Sequence, residues 1–194
     1  MRICFATNNI HKFNEVQHLL GERFQLVTLQ KLGCNNELPE EQETLEGNSF
    51  QKAEFIFQKY NTSCFADDSG LEVEALNGAP GVNSAHYGGP QRSHEDNIDL
   101  LLKNMTGVSN RSAQFRTVIT FIAPGHTRQF EGTVKGTIHN KKKGTAGFGY
   151  DPIFEPAGYS RTFAEMSLEE KNKFSHRAIA VKKLVEFLKT INPS

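Results

Sequence analysis

Two long runs rich in β-branched and aromatic residues, about Ala113–Ala123 and Gln129–His139, are joined by a short "PGHT" turn. Runs of this kind with a Pro-Gly break read as adjacent strands of one sheet. Such a sheet has to be covered, and the flanking sequence supplies the cover. Toward the N-terminus, Ile3–Ala6 and Phe24–Leu29 read as short strands, and Ile10–Leu20 between them reads as a helix. Its apolar residues Ile10, Phe13, Val16 and Leu20 recur at steps of three and four, and Gly21 stops it. A second helix is expected over Asn48–Tyr60, with Phe50, Ala53, Phe57 and Tyr60 on one face. Ser63–Ala66 and Leu71–Leu76 read as strands on either side of a turn "DDSG". Ser93 is placed to cap a helix that turns Ile98, Leu101, Leu102 and Met105 inward. The last helix is the clearest, with Ala178, Val181, Leu184, Val185, Leu188 and Ile191 in helical step and Ser175 as its cap. Strand–helix alternation around a two-stranded centre predicts an α/β fold with a mixed central sheet, a single domain over residues 1–194.

Charge and apolar patterning narrow what such a domain does. Twenty-two basic residues balance twenty-two acidic ones. A neutral chain is not held on nucleic acid or on an anionic membrane by charge, so neither is expected as a partner. No apolar run approaches the ~20 residues that span a bilayer. Ile3–Ala6 is too short for a signal-peptide core, so a cytoplasmic protein is expected. The three cysteines, Cys4, Cys34 and Cys64, show no C-x-x-C spacing, and Cys4 and Cys64 lie in strand-like runs. They read as buried thiols rather than nucleophiles or zinc ligands.

Four segments carry residues suited to chemistry. "ATNNIHK", Ala6–Lys12, runs from a strand into a helix start. Backbone N–H groups at a helix N-terminus attract anions, Thr7, Asn8 and Asn9 add polar groups, and Lys12 adds a charge one turn in; capping by Asn9 is the alternative use of the same residues. The segment lacks the glycine patterns of dinucleotide and P-loop sites. "FADDSG", Phe65–Gly70, places two carboxylates side by side at a strand end. Neighbours on an extended strand point to opposite faces, so one of Asp67 and Asp68 is expected to face a site and the other to brace structure. The acidic loop Gly33–Gly47 carries Glu40, Glu41 and Glu43, and with the aspartates it could offer a hard cation oxygen ligands. "GTAGFGYDPIF", Gly144–Phe154, combines glycines that admit a close ligand with Phe148 and Tyr150, which offer rings for stacking. In "EMSLEEKNKFSHRA", Glu165–Ala178, Ser167 and Glu170 form a capping box, and Lys171, His176 and Arg177 gather cations near the start of the last helix.

Taken in order, "TNNIHK", "FADDSGLEV", "GAPGVNSA", "GFGYDPIF" and "EEKNKFSHRA" resemble the inosine triphosphate pyrophosphatase family, the dITP/XTP pyrophosphatases. The five segments spread over nearly the whole chain. The resemblance implies an elongated, two-lobed α/β fold with a mixed central sheet and the nucleotide in the cleft between lobes. It also implies a homodimer, Mg²⁺ as cofactor, and hydrolysis of ITP, dITP and XTP to nucleoside monophosphate and pyrophosphate. Carried over by position, Thr7, Asn8, Asn9, Ile10, His11 and Lys12 would hold the triphosphate. Asp68 would be the proton acceptor and a metal ligand, with Glu40 as the second metal carboxylate and Glu43 as the alternative in a loop that aligns poorly. Ser69 would touch substrate. Phe148, Gly149, Tyr150, Asp151, Lys171, His176 and Arg177 would bind nucleotide, the last two near the base, where their donors would meet the O6 of a 6-keto purine. The Maf-type nucleotide pyrophosphatases, with pyrimidine or modified nucleotide substrates, are a related rival, and "SHR", Ser175–Arg177, favours the purine-specific branch over it. A nucleotide-binding module without turnover is a rival of another class, opposed by the intact Lys12, Asp67 and Asp68.

Overall fold

The computed structural model describes residues 2–21 and 24–191. Six strands form one mixed sheet in the order β2-β1-β3-β4-β5-β6. The strands are β1 (Arg2–Phe5), β2 (Gln25–Val27), β3 (Cys64–Val73), β4 (Ser112–Ala123), β5 (His126–Ile138) and β6 (Phe154–Pro156). β1 runs parallel to both β2 and β3, and β6 runs antiparallel to β5. The helices are α1 (Ile10–Leu20), α2 (Leu45–Tyr60), α3 (His94–Asn104), α4 (Leu168–Lys171) and α5 (His176–Ile191), with several single-turn 3-10 helices between elements. The α/β class and the mixed sheet expected from the sequence are observed.

The chain divides into two compact units. The first comprises Met1–Asp68, Thr117–Gly132 and Arg177–Ser194; the second comprises Ser69–Arg116 and Thr133–His176.

In the first unit, strand parity decides the layers. Ile3 and Phe5 of β1, Phe65 of β3 and Ile119 and Phe121 of β4 pack with Val16 and Leu20 of α1 and Val181, Leu184 and Leu188 of α5. The alternate residues Cys4, Ala6, Cys64, Ala66 and Ile122 pack instead with Ala53 and Ile56 of α2. Both faces of the strands are therefore covered, which is why these strands read as unbroken apolar runs. All three cysteines are free and buried, and burial pushes the thiols of Cys4 and Cys64 up to about 12. Cys4 and Cys64 are buried core thiols, as expected.

In the second unit, Leu71, Val73, Phe115 and Ile138 from the sheet pack with Ile98, Leu101 and Met105 of the α3 segment and with Ile153, Phe154, Phe163 and Met166. Ser93 caps α3, its hydroxyl accepting from the Asp96 N–H at 3.2 Å.

Several sequence expectations change. The "DDSG" segment is not a turn: β3 runs unbroken through it, because the 77–90 loop folds back alongside and supplies partners. Ser84 Oγ accepts from the Leu71 N–H at 2.9 Å and donates to the Gly81 carbonyl at 2.6 Å. A 3-10 turn over Glu74–Leu76 then ends the run. Only Gln25–Val27 of Phe24–Leu29 is strand, since Leu29 already starts a 3-10 turn. α2 begins three residues earlier than expected because Thr44 caps it, accepting from the Gly47 N–H at 3.0 Å. Ile10 and Phe50, placed on inward faces by their spacing, are 62% and 37% exposed.

Gly70, two residues after Asp68, is required by that loop packing, because a Cβ there would overlap the Gly81 carbonyl. Gly70→Ala is expected to destabilise the protein by about 1–3 kcal/mol, as overpacking does. In a chain of this size that lowers the melting temperature by about 2–4 °C per kcal/mol. A thermal melt checks it; an unchanged Tm would contradict the packing described.

Candidate active site

The strand parity that layers the first unit also separates the two aspartates. Asp67 follows Phe65 onto the α1/α5 side of β3, and Asp68 follows Ala66 onto the α2 side. Asp67 is fully buried there. Its carboxylate accepts from Lys12 Nζ at 3.2 Å and from Arg177 Nε at 3.2 Å. Arg177, itself buried, also donates through Nη1 to the buried carboxylate of Glu15 on α1. Lys12, Asp67, Arg177 and Glu15 thus form a chain of alternating charge that ties α1, β3 and α5 together. Burial alone would raise the Asp67 carboxyl, but Lys12, Arg177 and Lys52 outweigh it and hold the group well below the usual carboxylate range.

Asp68 meets a different set. Asn48 Nδ2 of α2 donates to its Oδ2 at 3.1 Å, and Lys52 Nζ lies 3.7 Å from its Oδ1. Lys52 also pairs with Glu40 at 2.6 Å, so Glu40 and Asp68 share one ammonium. Glu43 lies exposed in the loop. Burial is the largest influence on Asp68 and raises its carboxyl above the ordinary value despite Lys52, Lys12 and the Asn48 bond; Glu40 adds to the rise. The two neighbouring carboxyls are therefore driven in opposite directions, which is how a site separates an ionised anchor from a group that trades protons. Lys52 is held strongly basic by Asp68, Glu40 and Asp67 against the cost of its burial.

At the α1 start, the capping use of Asn9 is realised. Its Oδ1 accepts from the His11 N–H at 3.0 Å and the Lys12 N–H at 3.2 Å, while Thr7 Oγ1 accepts from the Asn9 N–H at 3.1 Å. This fixes the path of residues 7–12. Asn8, Ile10 and His11 are exposed around it, and Lys12 extends from the first turn to Asp67.

The second unit holds Ser69, Phe148–Asp151, Lys171 and His176. Ser69 is half-buried in β3. Asp151 organises the glycine loop. Its Oδ2 accepts from the Phe148 N–H at 3.0 Å and from the buried Lys171 Nζ at 2.7 Å. A side chain at Gly147 would collide with that same carboxylate oxygen, and Gly147 and Gly149 both have positive φ. Lys171 Nζ lies 5.0 Å from the centre of the Phe148 ring. Tyr150 is buried and donates to the Ser84 carbonyl at 2.9 Å. His176 is buried with its ring stacked on Phe115 at 4.7 Å.

The structure thus brings Lys12, Asp67 and Arg177 together, brings Asp68 and Glu40 together, and brings Phe148, Asp151 and Lys171 together. It puts the Arg177 guanidinium on Glu15 and Asp67. Three participants escaped sequence reasoning: Glu15, Asn48 and Lys52. Glu15 and Lys52 sit in amphipathic helices, where charged residues ordinarily face solvent, and their only signal is helical phase. Lys52 falls one residue from Ala53, and Glu15 one residue from Val16, inside the buried stripe.

The two aspartates are expected to respond differently to neutral substitution. Asp67→Asn leaves Lys12 without its buried counter-charge and Arg177 with Glu15 alone, and should cost about 3–5 kcal/mol of stability. Because the folded-state carboxyl of Asp67 is depressed, its contribution is complete above the unfolded value near ~3.9 and is lost as pH falls through the lower folded value. The gap between Asp67→Asn and the parent should therefore narrow in acid. The Asp68 carboxyl is raised, so its ionised form opposes folding at neutral pH, and Asp68→Asn should melt at the same temperature or higher. Thermal melts across pH check both; the opposite order would contradict the assignment.

Known proteins resemble this chain in sequence and in fold. The profile of the Ham1 family matches residues 3–187. A dITP/XTP pyrophosphatase of Flavobacterium psychrophilum is 49% identical over 97% of this chain and 100% of its own. One of Porphyromonas gingivalis is 48% identical over 96% of this chain and 97% of its own. Among solved structures, the Ham1 protein of Staphylococcus aureus superposes with a TM-score of 0.90 at 38% identity, covering 99% of this chain and 100% of that one. A Ham1 protein from Coxiella burnetii gives 0.90 at 32% identity, covering 98% and 99%. Matched in sequence from end to end and in fold by solved relatives, the chain belongs to the Ham1 family.

Proposed function

We propose that this protein hydrolyses non-standard purine nucleoside triphosphates, ITP, dITP and XTP, to nucleoside monophosphate and pyrophosphate. The observation that carries the reading is the split pair Asp67/Asp68. One carboxylate is locked among cations, and its neighbour sits raised beside Glu40 and Lys52. Membership of a family whose relatives bear the name dITP/XTP pyrophosphatase supports the substrate class.

Cleavage between the α- and β-phosphates joins a water oxygen to phosphorus, breaks the bridging P–O bond and releases pyrophosphate. Asp68 takes the proton from that water. Its raised affinity for a proton suits the task better than the fully ionised Asp67. Lys12, aimed by Asp67, meets the triphosphate charge together with the 7–12 segment. Glu40 and Asp68 converge on one ammonium, Lys52, so the spot already suits a cation. Two carboxylates are hard oxygen ligands of the kind that match Mg²⁺, which takes its remaining ligands from phosphate and water. Glu40 and Asp68 would hold that ion, and bound Mg²⁺ would neutralise charge on the departing pyrophosphate. Phe148, Asp151 and Lys171 take the nucleoside end with Ser69, and His176 lies near the base. Arg177, held by Glu15 and Asp67, contributes by fixing Asp67. A homodimer in the cytoplasm completes the reading, and sedimentation measures the dimer.

A coupled pyrophosphate assay over a panel of nucleotides tests it. ITP, dITP and XTP should exceed ATP and CTP at least ~100-fold in kcat/KM, within reach of a site that selects by hydrogen bonds. Equal ATP turnover, or release of single orthophosphate, would contradict the proposal. Asp68→Asn should lose about 10²–10⁴ in kcat with ITP still bound. Glu40→Gln should raise the Mg²⁺ requirement while Glu43→Gln should not. Full activity in excess EDTA would refute the metal assignment.

A further inference from the structure

The glycine loop 144–151 carries Phe148 and Asp151, yet its backbone is intrinsically loose. Gly144, Gly147 and Gly149 all have positive φ, a conformation with a high entropic cost to fix. Its first part is held from one side, where the Thr145 and Ala146 N–H groups donate to the Ala164 carbonyl at 3.1 and 3.0 Å. Its tip is reached by another element, the first turn of α3. The Gly149 N–H donates to His94 Nδ1 at 3.3 Å, and the His94 ring lies 6.3 Å from the Phe148 ring. Just before the loop, Lys142 pairs with Asp99 at 2.9 Å and with Glu95, both on the same turn-and-a-half of α3. The exposed lysine pair is weak alone. With His94 it joins both ends of the loop to one helix. Neither His94 nor Lys142 falls in the segments that carry the family resemblance.

We propose that the start of α3 is a latch for the nucleotide-binding loop, and that His94 is a positioning residue acting through Gly149 and Phe148. The proposal rests on the reading above that Phe148–Asp151 takes the nucleoside end of the substrate. An acceptor at Nδ1 requires the neutral imidazole with its proton on Nε2. The bond sets the peptide between Phe148 and Gly149, and so the orientation of the Phe148 ring beside Lys171. The latch touches neither Asp68 nor Glu40, so its loss should weaken nucleotide binding without slowing the chemical step.

His94→Leu and His94→Asn test this, since the Oδ1 of asparagine can stand where Nδ1 stands and accept the same bond. With ITP, His94→Leu should raise KM about 3- to 10-fold, the worth of one hydrogen bond, and leave kcat within about twofold. His94→Asn should restore KM to within about twofold. A second readout needs no turnover: trypsin should cut the Lys141–Lys143 run several-fold faster in His94→Leu than in the parent, and His94→Asn should again resemble the parent. An unchanged KM and cutting rate in His94→Leu, or a His94→Asn as impaired as His94→Leu, would overturn the latch. If the parent enzyme failed to hydrolyse ITP, the functional reading would fall, while the trypsin comparison would still decide whether His94 tethers the loop.

Discussion

An extended strand must turn successive side chains to opposite faces, and in this protein that rule falls on two adjacent aspartates. In the first unit β3 is covered on both sides, by α1 and α5 against one face and by α2 against the other. Asp67 and Asp68 therefore leave the same strand into two separate environments. The cations on α1 and α5 find Asp67, and the polar groups on α2 find Asp68. Had the segment been the turn that its composition suggests, both carboxylates would have shared one solvated corner and no such division would exist.

The consequences are electrostatic. Lys12, Asp67, Arg177 and Glu15 alternate in sign and are mostly or wholly buried. Every member has a partner, so the set is stable only while it is complete; losing one leaves an uncompensated buried charge. The set fixes where Lys12 stands relative to β3. On the other face, Asp68, Lys52 and Glu40 form a looser set with two carboxylates around one ammonium. Burial disfavours the charged form of Asp68, which costs stability and raises its affinity for a proton. Neighbouring residues of one strand thus meet opposite electrostatic environments.

Much of this was legible in the sequence. The α/β class, α1 with its exact partner Gly21 at the end, the Ser93 cap, the hairpin strands and the last helix followed from apolar period and capping residues. Strand alternation likewise predicted that Asp67 and Asp68 turn to opposite faces. The turn reading of "DDSG" failed because Asp, Ser and Gly favour turns locally, whereas a distant loop through Ser84 and Gly81 holds the segment extended. Ile10 and Phe50 kept helical spacing but face outward, since period alone does not say where the buried stripe ends. Glu15 and Lys52 were invisible because a buried charge is recognised by its partner, and those partners lie 162 and 12 residues away.

Burial and neighbouring charges push the two neighbouring carboxyls of β3 in opposite directions. Carbon-13 NMR of labelled aspartate carboxyls in the metal-free protein measures this directly. Asp67 should stay ionised well below the ordinary ~3.9, and Asp68 should take up its proton above that value. Two carboxyls titrating together near ~4, or in the reverse order, would contradict the account.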